Sequence, residues 1–239
     1  MHLLQFDGIW IRHPLKSTKI SLVLPIDKFR IFNFPLEKSL SDDRLKEQIE
    51  WEFSILFPTL SFEDYIIRPK IVSKSFYSHQ EILVVAANKK IIQPLHNVLS
   101  ENNLTLQFVD CSHFASDLFV NKQNSVSIFV SNNSLSCSVY SNGGMIGFRK
   151  FNSSDKDTLV DYLGNIMSHH ESDLNKFFIA SDSDIDETKA ELERSLKINF
   201  EYLAPFQRIQ PSETFFKNDF YSLKSSIFSA AAGIGFRLS

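Results

Sequence analysis

Alternating carboxylates form the first cluster of residues that could do chemistry. Asp182, Asp184 and Asp186 stand in the run SDSDIDE, and carboxylate oxygens at alternate positions can bind Ca²⁺ or Mg²⁺. An EF-hand loop also needs a glycine at its sixth position, which is missing here. We therefore expect these carboxylates to lie at the N-terminus of a helix, where the helix dipole favours negative charge, with a cation site as the alternative.

Two clusters contain histidine. His169 and His170 are adjacent on a predicted helix and point in different directions, and no third metal ligand is close in sequence. Cys111, Ser112 and His113 place two kinds of nucleophile beside a base. Adjacent residues rarely give the geometry of a catalytic triad, and no GxSxG motif occurs. We expect the first cluster to end a solvated helix and the second to cap and pack one.

The distribution of glycine bears on phosphate binding. No glycine lies between Gly8 and Gly143, and neither GxGxxG nor GxxxxGK[ST] occurs. A loop that binds a phosphate brings several backbone N–H groups close to the anion, which requires residues that accept positive φ and lack a Cβ. The sequence therefore lacks the glycine-rich loops with which most proteins bind a phosphate.

Composition limits the class of protein and of partner. The chain has 239 residues, of which 43% are hydrophobic and 22% charged, enough for one large domain or two smaller ones. The net charge is -3, and no stripe of Lys and Arg interleaves with aromatic residues, so nucleic acid is not an expected partner.

Cysteine usage and hydropathy indicate the compartment. Cys111 and Cys137 form no CxxC motif, which argues against a disulfide framework or a structural metal and favours a reducing compartment. The sequence contains no signal-peptide pattern and no apolar run that approaches the length of a membrane span. We expect a cytoplasmic protein without direct membrane insertion, which can still dock on a membrane protein at the inner face of the membrane.

The hydrophobic periodicity predicts an α/β protein with strands and helices mixed throughout. Residues 19–25 and 29–35 are predicted to form a β-hairpin, and Asn142-Gly143 predicts a second tight turn. Further strands are predicted at residues 64–72, 81–87, 104–109, 125–130, 134–140, 145–151 and 176–180. Helices are predicted to begin at Ser41 and to span residues 89–101, 112–120, 155–169, 184–196 and 220–233.

The helix that begins at Ser41 carries an unusual aromatic residue. Leu45, Ile49, Phe53 and Leu56 recur at helical spacing and predict its buried face, and Pro58 ends it. Trp51 lies well off that face. It is interpreted either as a side chain partly buried between subdomains or as an anchor for a partner, since exposed aromatic residues beside charges are typical of binding surfaces.

Five blocks of sequence, taken in order, resemble PilM, the actin-like protein of type IV pilus assembly. They are LVLPIDKFRIFNFP (22–35), RLKEQIEWEFSILFPTLSFEDY (44–65), VVAANKKIIQPLHNVLSENNLTLQFVD (84–110), FEYLAPFQRI (200–209) and AAGIGFR (231–237). FtsA and the secretion protein GspL share this fold class, and an uncharacterised actin-fold family is the alternative.

The resemblance implies an actin-like (ribonuclease H-like) fold with two lobes around a cleft. The body would consist of residues 1–18 and 104–239, with the fold shortened at its N-terminus. An inserted small subdomain of strand-helix-strand-strand order would span residues 19–103.

The sequence departs from the family at each of the three loops that contact the nucleotide. Asp7-Gly8 is the only trace of the first phosphate loop, and Phe129 and Ser131 stand where the second loop carries its Asp and Gly. The segment aligned with the adenosine loop, residues 179–192, contains no glycine. We therefore expect a pseudo-ATPase that takes no cofactor. The alternative is a compact ATPase that uses Asp7-Gly8 with the glycines of residues 143–147.

The resemblance also implies a partner. In the family, the cytoplasmic N-terminal segment of an inner-membrane protein lies against the inserted subdomain. By this resemblance the protein is a non-catalytic scaffold in the assembly of a pilus or secretion apparatus, and Arg30, Trp51 and Glu52 are the candidate partner-binding residues. An actin-fold protein of unrelated role is a further alternative, and formation of a homo-oligomer stays open.

Overall fold

A computed structural model describes residues 18–36, 40–72, 80–169, 174–209 and 225–237. Its strands are β1 (Lys19–Leu24), β2 (Phe29–Pro35), β3 (Tyr65–Val72), β4 (Glu81–Asn88), β5 (Thr105–Cys111), β6 (Ser125–Ser131), β7 (Ser134–Ser141), β8 (Gly144–Asn152), β9 (Lys176–Ser181) and β10 (Glu201–Tyr202). Its α-helices are α1 (Asp42–Leu56), α2 (Lys89–Glu101), α3 (Ser112–Ser116), α4 (Lys156–His169), α5 (Asp186–Leu196) and α6 (Ser229–Phe236). Within these ranges, no helix is both long enough and apolar enough to cross a bilayer.

The largest sheet has five strands in the order β10-β9-β6-β7-β8. The strands β6, β7 and β8 are antiparallel, while β9 runs parallel to both β6 and β10. The turn between β7 and β8 has positive φ at both Asn142 (51°) and Gly143 (82°), so the predicted Asn-Gly turn is confirmed. Helices α4 and α5 contribute Leu159, Leu163 and Leu192 to the core that they form with this sheet.

A second sheet, of order β2-β4-β3, is antiparallel and lies between α1 and the rest of the protein. Because strand side chains alternate between the two faces, Phe32 and Phe34 pack with Phe53 of α1, while Phe29 and Leu83 join the core shared with the five-stranded sheet. The order β2, α1, β3, β4 is the predicted strand-helix-strand-strand arrangement.

Local sequence accounts for most of α1. The Ser41 Oγ accepts a hydrogen bond from the backbone N–H of Arg44 at 3.5 Å, and two aspartates occupy the first turn. The prediction is wrong for Leu56, whose side chain is 49% exposed. The helix ends there, and Phe57 packs in its place, with its ring 5.0 Å from that of Phe53 and 5.9 Å from that of Phe32.

The predicted hairpin between residues 19–25 and 29–35 is wrong. The strand β1 pairs in parallel with β5 in a two-stranded sheet, whereas β2 pairs with β4. Between them lies a 3-10 turn, Ile26–Lys28, whose first side chain is fully buried. Burial of Ile26 favours a connection that packs in the core, whereas a hairpin turn would leave this apolar side chain in solvent. The domain boundaries near residues 18 and 103 stay a prediction.

The helices near the C-terminus differ from their predicted bounds. The helix predicted at residues 112–120 ends at Ser116. The final helix is α6, which follows a 3-10 turn at Ser225–Phe228, and its predicted start at residue 220 lies outside the described residues. His169 ends α4, and His170 lies outside the described residues, as does Asp7-Gly8.

Candidate functional site

A cleft of about 340 Å³ lies between the first residues of β2, the last residues of β8 and the start of α4. Both β2 and β8 are edge strands of their sheets. Within the described part of the chain, each therefore has one edge without a neighbouring strand, and an edge of this kind presents unpaired backbone N–H and C=O groups.

Two arginines line this cleft, and each packs against aromatic rings. The Arg30 guanidinium lies 5.8 Å from the centroid of Phe57, and the Arg149 guanidinium lies 5.4 Å from that of Phe151 and 5.5 Å from that of Tyr162. Such cation–π contacts orient the guanidinium without using its N–H donors. Neither arginine forms an ion pair with any carboxylate of the described residues.

Lys150 adds a third positive charge. Its Nζ donates a hydrogen bond to the Ile26 carbonyl at 3.3 Å. Burial lowers the pKa of Lys150, Asp27 raises it, and Arg30 lowers it by a smaller amount. The carboxylate that lines the cleft, that of Asp155, accepts hydrogen bonds from Asn152 and Ser154 at 2.9 and 3.1 Å. The cleft is therefore basic.

A smaller cavity, of about 180 Å³, lies at the carboxyl ends of the parallel strands β6 and β9, the place where open α/β sheets bind ligands. Asn132 of the β6–β7 turn and Asp184 of the β9–α5 connection both line it. The structure thus brings together the segments that align with the second phosphate loop and the adenosine loop. The cavity is smaller than the roughly 300 Å³ at which small-molecule sites begin.

Two charged side chains that line this smaller cavity already have partners. Its lysine, Lys156, pairs with Glu191 of α5, and the Asp184 carboxylate accepts a hydrogen bond from the backbone N–H of Asp186 at 3.3 Å. The Phe129 side chain, at the position aligned with the metal-binding Asp of the family, is buried in the core. Within the described residues no group of three or more His, Cys, Asp or Glu side chains could bind a metal ion. Of the three predicted aspartates, Asp186 lies in the first turn of α5, whereas Asp182 and Asp184 precede the helix, whose N-cap residue makes no side-chain hydrogen bond to it.

A sealed polar network lies where α3 packs on β7. The His113 Nδ1 is 2.6 Å from the Ser136 Oγ and its Nε2 is 2.6 Å from the Ser138 Oγ. The Asp117 carboxylate is 3.1 Å from Nε2 and accepts a hydrogen bond of 2.6 Å from the Tyr140 hydroxyl. All five side chains are buried. We call these five residues the buried network.

Electrostatics keep the Asp117 carboxylate charged. Burial by itself raises its pKa, but the His113 imidazole and the hydroxyls of Ser127 and Tyr140 outweigh burial and hold the pKa below its usual value. The spacing of residues in the sequence contains a signal for the network. His113 and Asp117 are four residues apart and so share a helical face, while alternate residues of β7 share a face of the sheet.

The Cys111, Ser112 and His113 cluster is not a nucleophile–base pair. The His113 ring nitrogens lie against the serines of β7, and burial raises the pKa of the Cys111 thiol to about 12. The expected packing role is confirmed, since all three side chains are buried. The expected cap is wrong, because Cys111, at the N-cap of α3, makes no side-chain hydrogen bond to the helix.

The three predicted partner-binding residues do not share one site. Arg30 lines the cleft. Trp51 is 60% exposed on the face of α1 opposite Ile49 and Phe53, which does not agree with a side chain buried between subdomains. Glu52 is half-buried. Neither Trp51 nor Glu52 is among the residues that line the cleft, so their role in binding stays a prediction.

No protein-family model matches this sequence, and no curated protein is significantly similar to it. Among solved structures, the chain is similar to one from the PilM-PilN type IV pilus biogenesis complex, with a TM-score of 0.70, 12% identity, and coverage of 98% of this chain and 83% of that chain. It is also similar to a Bacteroides thetaiotaomicron protein with an actin-like ATPase fold and unknown function (TM-score 0.48, 12% identity, 82% of this chain and 74% of that chain). A third similar structure is the cytoplasmic domain of EpsL, an inner-membrane component of the type II secretion system of Vibrio cholerae (TM-score 0.48, 8% identity, 73% of this chain and 65% of that chain).

The similarity to the chain from the PilM-PilN complex covers nearly all of this chain at an identity of only 12%. It therefore lies in the order and packing of the strands and helices. The resemblance to PilM inferred from five blocks of sequence is confirmed for the fold, and this chain has the actin-like fold of the PilM-like proteins.

Proposed function

We propose that this protein is a non-catalytic actin-fold scaffold that binds a segment of a membrane protein during the assembly of a pilus or secretion apparatus. The observation that carries the proposal is the cleft between β2 and β8, which combines two edge strands with two arginines that form no ion pair within the described part of the chain. The similarity in fold to a chain from the PilM-PilN type IV pilus biogenesis complex supports the cellular setting. In this setting the protein works at the inner face of the membrane.

Two observations support a scaffold over an ATPase. The cavity at the carboxyl ends of β6 and β9 is small, and its lysine is paired with a glutamate. Two segments meet there. Residues 127–144 contain glycine only at their last two positions, Gly143 and Gly144, and residues 179–192 contain none. A phosphate therefore cannot approach this backbone as closely as it does in a phosphate loop.

Absence of nucleotide binding is tested by thermal unfolding and calorimetric titration of the purified protein with Mg-ATP and Mg-ADP. A ligand at about one hundred times its dissociation constant adds about 2.7 kcal/mol to the free energy of unfolding. We expect no shift in Tm and no heat of binding. A clear shift would favour the compact ATPase and would count against the pseudo-ATPase.

Partner binding is tested in the native cell by site-specific photo-crosslinking. A photoreactive amino acid replaces Thr158, an exposed residue of the cleft, and in a matched control replaces Gln107, an exposed residue of β5 away from it. We expect the probe at residue 158, and not that at residue 107, to crosslink the same integral membrane protein reproducibly. Equal crosslinking from both positions, or none from residue 158, would overturn the proposal.

A further inference from the structure

We infer that the cleft between β2 and β8 binds an extended acidic segment, whose carboxylates pair with Arg30 and Arg149 and whose backbone pairs with an edge strand. The inference rests on the proposed function, in which this cleft binds a segment of the partner, and it specifies the chemistry of that segment.

The backbone part of the inference follows from the sheet topology. The strand β2 is paired along its whole length with β4 on one side, from Phe29 opposite Ala87 to Pro35 opposite Glu81. On its other side, no strand of the described residues pairs with it. An extended peptide can add to such an edge through main-chain hydrogen bonds, which a compact anion such as phosphate cannot supply in register.

The charge part follows from the side chains at the same place. Arg30, Arg149 and Lys150 line one cleft, and the one carboxylate among its described lining residues, that of Asp155, already accepts two hydrogen bonds. Both guanidinium groups are oriented by aromatic rings while their N–H donors make no ion pair with the described residues. A planar donor fork held in this way matches a carboxylate in bidentate geometry.

The state of Lys150 agrees with an acidic ligand. Burial, with a contribution from Arg30, disfavours the charged ammonium in the free protein and lowers its pKa. An incoming carboxylate would oppose both effects, because an opposite charge nearby favours the charged form. A basic segment would add to the repulsion that the three cations already exert on one another.

The test uses a phage library of random twelve-residue peptides, selected on the full-length protein and then measured as fluorescent synthetic peptides. The cleft variant is Arg30→Gln with Arg149→Gln. The matched control is Arg44→Gln with Arg68→Gln, which removes the same charge from two exposed positions that do not line the cleft. We expect selected peptides rich in Asp and Glu that bind the cleft variant about tenfold more weakly, with the control unchanged.

Two further arms separate the parts of the inference. A peptide of equal charge with prolines at its central positions lacks the backbone N–H donors of those positions and should also bind about tenfold more weakly. Equal binding would overturn the pairing of an extended backbone and would leave simple anion binding. Crosslinking from a photoreactive residue at position 158 shows whether each peptide binds in the cleft. Neutral or basic peptides that crosslink there would overturn the acidic chemistry but leave the proposed function intact, whereas failure of every peptide to crosslink there would count against both.

Discussion

The buried network and the cleft are two clusters of charged and polar side chains in one protein, and they are built in opposite ways. In the buried network, Asp117 and His113 are sealed from water and contact each other and their hydroxyl partners. In the cleft, Arg30 and Arg149 are exposed to solvent, and no carboxylate of the described residues pairs with either. A buried cluster whose members hydrogen-bond to one another stabilises the fold, whereas exposed cations that pair with no carboxylate of the described residues are available to a partner.

This difference separates stability from binding. Changes in the buried network should lower the free energy of unfolding, because a buried charge that loses its partner keeps its full desolvation penalty. Changes at exposed binding residues should weaken partner binding and change the free energy of unfolding little, because substitutions of exposed side chains usually change it by no more than about 0.5 kcal/mol. The predictions below test this separation.

The largest expected effect is that of Asp117→Ala. It leaves the buried Tyr140 hydroxyl and His113 ring without their shared carboxylate, and each buried polar group that loses its partner costs about 1–3 kcal/mol. Chemical denaturation measures the loss. The control, Asp161→Ala on the exposed side of α4, should change the free energy of unfolding by less than about 0.5 kcal/mol. Equal effects of the two changes would show that the network is not a structural support.

A smaller loss in the free energy of unfolding is expected for Gly233→Ala. Gly233 lies in α6, which packs against α3, the helix that carries His113 of the buried network. A Cβ at Gly233 would lie 1.9 Å from the backbone oxygen of Ala115 in α3, so the two helices must separate, at a cost of about 1–3 kcal/mol. Gly235→Ala, in the same helix, meets nothing within 4 Å and should be neutral or slightly stabilising. Thermal unfolding of the two variants distinguishes them, and equal Tm values would contradict the close packing of α3 and α6.

Acid stability should also report on the buried network. A carboxyl group whose pKa is depressed on folding stabilises the protein above its unfolded pKa, and this contribution is lost as the pH falls through the folded value. Because the pKa of Asp117 is lowered, Asp117→Asn should reduce the dependence of the free energy of unfolding on pH below about pH 4. The difference between the wild-type and variant curves isolates this group from the other carboxylates. Parallel curves across that range would contradict a depressed pKa.

The smallest effect on stability is expected for Trp51→Ala. The side chain is 60% exposed, so the free energy of unfolding should change by less than about 0.5 kcal/mol, while binding of the crosslinked partner weakens. Phe53→Ala, on the buried face of the same helix, should cost about 3–5 kcal/mol. If Trp51→Ala lowers stability and binding to the same extent, Trp51 belongs to the core and not to a binding surface.

Much of the fold could be predicted from local signals. Ser41 before a run of apolar residues at helical spacing predicted α1, Asn142-Gly143 predicted the turn between β7 and β8, and α2 has the predicted bounds despite Pro94 in its interior. Each signal depends on residues within a few positions of one another. Arg30, a predicted partner-binding residue, lines the cleft, but its neighbours Arg149 and Lys150 were not predicted, because nothing local connects residues so far apart in sequence.

The sequence by itself determined the order of the elements, the scarcity of glycine in the segments that align with the phosphate loops of PilM, and the resemblance to PilM. Only the tertiary structure decided that β1 pairs with β5, that His113 reaches Ser136, and that β2 and β8 enclose a basic cleft. The physical reason is that a strand presents the same backbone donors and acceptors to any partner, so the choice of neighbour depends on burial across the whole chain.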